Sequence, residues 1–230
     1  MWILALDSAT EAGSAALLED GILRAQILLR RGNTHSKTLL PSVERLLGLA
    51  EVSLTDIGAF ACTTGPGSFT GLRIGISTVK GLAFGTGKPC YGVSALECQA
   101  HLLRGVRGRI VPALDARRDQ VYTACFLSDG DKVTRRTPDS LLPVSDLNLD
   151  ACGGEVYVCG DAADRLKELW PRVQCPAFTR TLYAAPAGEI AWQRYSLGIR
   201  ESEEDLHPVY LRVPQAEETR LKSLKKSDKT

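Results

Sequence analysis

Trp2-Ile3-Leu4-Ala5-Leu6-Asp7 and Ile110-Val111-Pro112-Ala113-Leu114-Asp115 are the two stretches that decide the fold. Each is an apolar run ending in a carboxylate, and each contains Ala-Leu-Asp. A short polar stretch and a hairpin pattern follow each Asp. The first hairpin is Ala15-Ala16-Leu17-Leu18-Glu19, an Asp20-Gly21 turn, then Ile22-Leu23. The second is Tyr122-Thr123-Ala124-Cys125-Phe126, an Asp129-Gly130 turn, then Lys132-Val133. Asp-Gly between apolar runs marks a hairpin, because the turn requires positive φ angles. One supersecondary unit recurring at half the chain length predicts a duplicated, two-domain architecture. Residues 1–108 form the first expected unit, 109–214 the second, and 215–230 a flexible charged tail.

Working outward, Ile57–Thr64 reads as a strand, Thr70–Phe84 as a helix, Cys90–Val93 as a strand and Ala95–Leu103 as a helix. Asn33 or Thr34 can cap a helix whose apolar stripe is Leu39, Val43, Leu46, Leu47 and Ala50, interrupted at Pro41. Gly105 and Gly108, with the arginines between them, form the linker candidate. A loop-rich stretch runs from about Arg135 to Gly154. Val156–Cys159 then reads as a strand, with helices to Leu169 and over Ala187–Tyr195. Strands alternating with helices give an α/β class with a mixed sheet in each half.

Composition narrows the function. There are 28 basic and 27 acidic residues, a net charge of +1, which gives no general attraction to nucleic acid. The chain opens on an apolar run with no basic region before it, so no signal peptide is expected, and no apolar stretch approaches a membrane span. Seven scattered cysteines (62, 90, 98, 125, 152, 159 and 175) without C-x-x-C read as reduced, buried thiols of a cytoplasmic protein.

Gly65-Pro66-Gly67-Ser68-Phe69-Thr70-Gly71-Leu72-Arg73 joins a strand to a helix, where free N–H groups can hold an anion. It matches neither a P-loop nor G-x-G-x-x-G, and a tight turn capped by Ser68 or Thr70 explains it equally well. The helix carries Gly71, Gly75, Gly81 and Gly85, each costing about 1 kcal/mol against Ala. Gly71 and Gly75 share a face, which lets another backbone come close. That neighbour is either a helix across a subunit boundary or the interior of the same domain. Asp7 and Asp115 end strands, where a nucleotide or metal would sit, or each starts an Asx turn. His35, His101 and His207 have no second His at ligand spacing. No G-x-S-x-G elbow activates a serine. Arg117-Arg118 occupies the second bend, as a phosphate or partner contact or a solvated turn.

Several strings together resemble the bacterial TsaB family, up to about residue 213. They are Asp7-Ser8-Ala9-Thr10, Asn33-Thr34-His35-Ser36-Lys37-Thr38-Leu39-Leu40-Pro41, the string from Gly65 to Gly75, Asp115-Ala116-Arg117-Arg118 with Val121-Tyr122, and Pro208-Val209-Tyr210-Leu211-Arg212. The resemblance implies a duplicated actin-like ATPase fold, as in sugar kinases. It also implies a part in forming N6-threonylcarbamoyladenosine at position 37 of tRNA. In that system the catalytic relative, TsaD, holds a metal through H-x-x-x-H; here Leu39 stands where the second His would be. The resemblance therefore implies a noncatalytic subunit with no catalytic residue, metal or cofactor. It would pair with a TsaD-like subunit and a TsaE-like ATPase, reach tRNA only through the complex, and form a homodimer when alone. The expected interface is Leu39, Leu40, Val43, Leu46 and Leu47 on one helix, with Gly71, Leu72, Gly75 and Val79 on the other. The competing readings are a small-molecule kinase or ATPase using Asp7, Gly65, Gly67 and Asp115, and a metalloprotease.

Overall fold

The structure, a computed structural model, describes residues 1–30 and 35–212. The first sheet has the order β3 (Ile22–Leu29), β2 (Gly13–Glu19), β1 (Trp2–Asp7), β4 (Ile57–Gly65), β5 (Cys90–Ser94). β1 pairs antiparallel with β2 and parallel with β4. Asp20 (φ 49°) and Gly21 (φ 78°) make the left-handed hairpin turn that their sequence demands. Two helices, α1 (His35–Ala50) and α2 (Phe69–Thr86), touch each other on one face. The cap expected at Asn33 or Thr34 and the tail 215–230 lie outside the described residues. Pro41 sits inside α1 without ending it. Ser68 caps α2, its Oγ accepting the Gly71 N–H at 3.2 Å.

After α3 (Ala95–His101), the second sheet is built on β6 (Arg107–Asp115). β7 (Gln120–Thr123) and β8 (Phe126–Asp129) lie along one side of β6 in a single register, split at Ala124-Cys125. The split follows from the Cys125 carbonyl, which turns to accept Arg136 N–H (2.7 Å) and Thr137 N–H (3.2 Å). β9 (Val133–Arg135) pairs with β8 and β10 (Ser140–Pro143) with β7. On the other side β11 (Val156–Cys159) runs parallel to β6. The pattern around β6 therefore repeats that around β1: antiparallel hairpin strands on one side, a parallel strand on the other. This is the duplicated actin-like α/β architecture.

Three local expectations change. Arg107 and Gly108 belong to β6, so the expected linker from Gly105 shrinks to the turn before it. The stretch 135–154 contains β10, whose Leu141 and Leu142 pair with Tyr122 and Val121. α4 (Ala163–Leu169) packs on the second sheet, but α5 (Ala185–Ser196) returns to the first. Bare Gly188 lets α5 lie directly on Leu18 and Ala5 of β2 and β1, on the face opposite α1. The main core consequently runs through both halves, joining Ile3, Leu6 and Phe60 to Ile110, Leu114 and Phe126. The seven cysteines are unpaired; Cys62, Cys90, Cys98 and Cys159 are buried, while Cys125, Cys152 and Cys175 are only partly so. No helix among the described residues is long and apolar enough to cross a membrane.

Candidate functional site

β1 ends at Asp7 and hands the chain to a polar bend, Ser8 to Ala12. This bend lies against the start of α2. Ser8 Oγ donates to the Gly71 carbonyl (2.8 Å), and Ser68 N–H donates to the Ala9 carbonyl (2.7 Å). His35, at the start of α1, holds the same bend through Nε2 and the Thr10 carbonyl at 2.9 Å. A Cβ on Gly67 would collide with the Ala9 carbonyl, on Gly71 with the Ser8 carbonyl, and on Gly75 with Ser8 Oγ. These glycines exist so that the molecule's own loop can press onto the helix. Two of the N–H groups at this helix N-terminus, those of Ser68 and Gly71, already serve Ala9 O and Ser68 Oγ.

Asp7 lies beneath that loop, fully buried. Its Oδ1 accepts from Thr63 Oγ1 (2.6 Å) and Ala9 N–H (3.2 Å), while Oδ2 has no hydrogen-bond partner. Burial pushes its carboxyl up to about 6, against the opposing pull of the Thr63 hydroxyl. Burial likewise pushes the Cys90 thiol up to about 11, far from a reactive thiolate.

The repeat's second Asp behaves differently. Asp115 lines an interdomain cleft of about 950 Å³, with Thr10, His35, Thr70, Arg117 and Asp161. Asp115 Oδ1 accepts Arg117 N–H at 2.8 Å, closing an Asx turn. Asp115 N–H donates to Asp161 Oδ1 at 2.7 Å. Desolvation, reinforced by the Asp115 charge, raises the Asp161 carboxyl above the ordinary range. Arg117, Arg118 and Asp119 all have φ between 54° and 60°, a strained conformation for residues with side chains.

A segment to which the sequence patterns assign no site role closes the rim of this cleft. Val209 N–H donates to Thr64 O at the end of β4 (2.7 Å). The Tyr210 ring stacks on Phe69 with centroids 4.6 Å apart, and Arg73 donates to its hydroxyl (2.9 Å). Arg212 reaches across to the Ala116 carbonyl and Gln120 Oε1 of the β6–β7 turn. The segment thus ties both halves together. The sequence patterns assign no role to Asp161 either; it follows β11 after Gly160, beyond the strand's end at Cys159.

The expected site residues separate into two groups. Asp115 and Gly67 line the cleft; Asp7 and Gly65 do not. In the expected interface, Leu39, Val43, Leu46, Leu72 and Val79 are core residues, and Gly71 and Gly75 face Ser8. Leu47 is partly buried, and Leu40 is exposed. The helix pair does have an outer face, and it is a different one. Leu49 (72% exposed) and Phe84 (78% exposed) stand on it, and a Cβ added at Gly81 or Gly85 would meet nothing within 4 Å. His101 is held by Glu189 (3.1 Å) between α3 and α5, and His207 is exposed. Among the described residues no three His, Cys, Asp or Glu side chains are grouped to hold a metal ion.

Comparison with known proteins is consistent with this arrangement. The family model described as TsaD, tRNA N6-adenosine threonylcarbamoyltransferase, matches residues 30–163. The tRNA threonylcarbamoyladenosine biosynthesis protein TsaB of Escherichia coli is 45% identical over 131 residues, 56% of each chain. TsaB of Bacillus subtilis is 34% identical over 146 residues, 64% of each. The match thus spans less than two thirds of the length of these curated relatives. The solved YeaZ of Pseudomonas aeruginosa superposes with TM-score 0.80 at 32% identity, covering 91% of this chain and 99% of that one. A shared sequence over the helical and glycine-loop region and a shared fold over nearly the whole length place the chain in the TsaB family.

Proposed function

We propose that this protein is a noncatalytic subunit in the formation of N6-threonylcarbamoyladenosine on tRNA. It docks a TsaD-like transferase through the outer face of α1 and α2, and a TsaE-like ATPase joins that pair. One observation carries the reading: the loop after β1 occupies the start of α2 and seals Asp7 away from the cleft. The carboxylate that ends β1 is thereby spent on internal packing, while Gly67–Gly71 still line the cleft. What remains for a partner is the apolar, glycine-containing surface at Leu49, Gly81, Phe84 and Gly85. Bare backbone beside a large exposed aromatic suits close helix-on-helix docking. The interface proposed from sequence therefore moves about one helix face, from Gly71 and Gly75 to Gly81 and Gly85.

The test is co-purification with a TsaD-like subunit. Phe84→Asp abolishes the complex while the variant's circular dichroism stays native. Elution of an intact complex with Phe84→Asp would contradict the proposal. The ATPase reading retains one supporting observation, the paired Asp115 and Asp161 in the cleft. Calorimetry with ATP and magnesium decides it: micromolar binding lost in Asp115→Asn favours that reading, and no heat disfavours it.

A further inference from the structure

We propose that the outer face of the second sheet, where β6, β8 and β9 lie side by side, is an RNA-binding surface that holds the phosphate backbone of a folded RNA. The pairing registers lay that face out in three rows. Arg107 stands beside Asp129, Arg109 beside Leu127 and Thr134, and Arg136 beside Cys125, whose carbonyl accepts its N–H. Alternation along each strand turns Ile110 and Phe126 into the main core and leaves Arg107, Arg109, Leu127, Thr134 and Arg136 exposed. Leu149 and Leu166 of α4 cover this face only from Val111 onward. Among the described residues Arg107, Arg109 and Arg136 form no ion pair. Arg135, on the inner face of β9, is by contrast paired with Asp139 and with Glu97 (3.6 Å). Of the carboxylates nearby, Asp129 is offset in charge by Lys132 across the hairpin, and its Oδ1 accepts the Asp131 and Lys132 amides (3.0 and 2.8 Å). Glu155 accepts the Tyr157 hydroxyl at 2.6 Å.

Spacing and charge select the occupant. Strands lie about 4.8 Å apart and residues rise about 3.4 Å along each, which sets the Arg107 and Arg136 backbones about 16 Å apart. No single phosphate or carboxylate spans that distance, whereas a chain of regularly spaced anions does. Arg109 and Arg136 converge on one point between them: burial raises the Cys125 thiol, and both guanidiniums, Arg109 more strongly, oppose the rise. Guanidinium groups take phosphate oxygens through paired N–H donors. Leu127 and Thr134 carry no charge and lie among the arginines, where a ribose can approach while its phosphates are held. The net charge of +1 gives no general pull on nucleic acid, so the attraction is local. That the polyanion is RNA rests on the reading above, in which the assembly acts on tRNA. The family resemblance implies that tRNA is reached only through the complex; this face gives the chain a contact of its own. Three phosphate contacts are weak and salt-sensitive, suited to orienting a tRNA that the transferase subunit also holds.

The experiment is fluorescence anisotropy of an unmodified tRNA transcript titrated with the full chain. Between about 50 and 200 mM salt, three phosphate contacts predict a loss of affinity of about 15- to 40-fold. Arg109→Gln with Arg136→Gln weakens binding at least about tenfold at the lower salt and reduces the slope of log K against log salt by about 2. Arg107→Gln, a single change at the far end of the face, reduces that slope by about 1 and serves if the double variant does not fold. Arg24→Gln, which removes an arginine paired with Glu19, leaves binding unchanged. The double variant still co-elutes with a TsaD-like subunit. A wild type that does not bind tRNA at about 50 mM salt, or variants that bind it as the wild type does, overturn the proposal. Loss of co-elution in the double variant also overturns it, because the arginines would then belong to a protein partner. A wild type that fails to pair with the TsaD-like subunit contradicts the docking role instead, and the tRNA titration of the chain alone still decides this face.

Discussion

Replacing Asp7 with Asn probes the buried carboxyl directly. Asp7 is fully buried, and its raised value of about 6 compares with an ordinary 3.8. The native state therefore holds the proton more tightly than the unfolded chain does. The stability this contributes is complete below the unfolded value and is lost as pH rises through about 6. A shift of about two units corresponds to about 3 kcal/mol at 1.36 kcal/mol per unit. Between pH 4.5 and 7.5 about 2 kcal/mol of that total is lost. Asn keeps an oxygen for Thr63 and Ala9 but does not titrate. Its N–H group in place of Oδ2 finds no acceptor, an offset of about 1–3 kcal/mol that does not vary with pH. Urea unfolding of both proteins across this range is the assay. The stability difference, Asn variant minus wild type, rises by about 2 kcal/mol from pH 4.5 to 7.5. Parallel pH profiles would refute the reasoning, because they would mean that Asp7 is already ionised in the native state at low pH.

Two further outcomes follow from the packing. Gly71→Ala forces a Cβ onto the Ser8 carbonyl and destabilises by at least about 2 kcal/mol, whereas Gly81→Ala meets open space and gains up to about 1 kcal/mol in helix propensity. Thermal unfolding of the two variants checks the contrast, and equal effects would contradict it. Arg212→Ala releases the rim segment from the Ala116 carbonyl and Gln120, so amides of the β6–β7 turn exchange faster while those of β1 and β4 do not. Unchanged exchange in that turn would count against the segment as a tie between the halves.

Much of this molecule was legible from local patterns. The two Ala-Leu-Asp strands, the Asp-Gly turns and the Ser68 cap each follow from interactions within a few residues. What depended on long-range packing was not legible. Spacing showed that Gly71 and Gly75 share a face; it could not show that Ser8, more than sixty positions away, lies on it. The same spacing holds for Gly81 and Gly85, which do face outward, so periodicity alone could not choose between the pairs. Apolar composition made Val43 and Leu46 equally good as interface or core, and burial decides for core. α5 carried no signal for which sheet it would cover, since a helix face reports that it is buried and not where. Asp7 and Asp115 are equivalent in the repeat, yet only the first is covered by its loop. The rim segment around Tyr210 has neither strand nor helix periodicity; its reason is the Phe69 ring on which Tyr210 stacks.

The most direct measurement is threonylcarbamoyl transfer to tRNA by a reconstituted mixture containing a TsaD-like and a TsaE-like subunit. The wild-type chain and Asp115→Asn are expected to support transfer equally, and Phe84→Asp to fail. Transfer that survives Phe84→Asp but is lost with Asp115→Asn would contradict a docking role and return the cleft to the centre of the function.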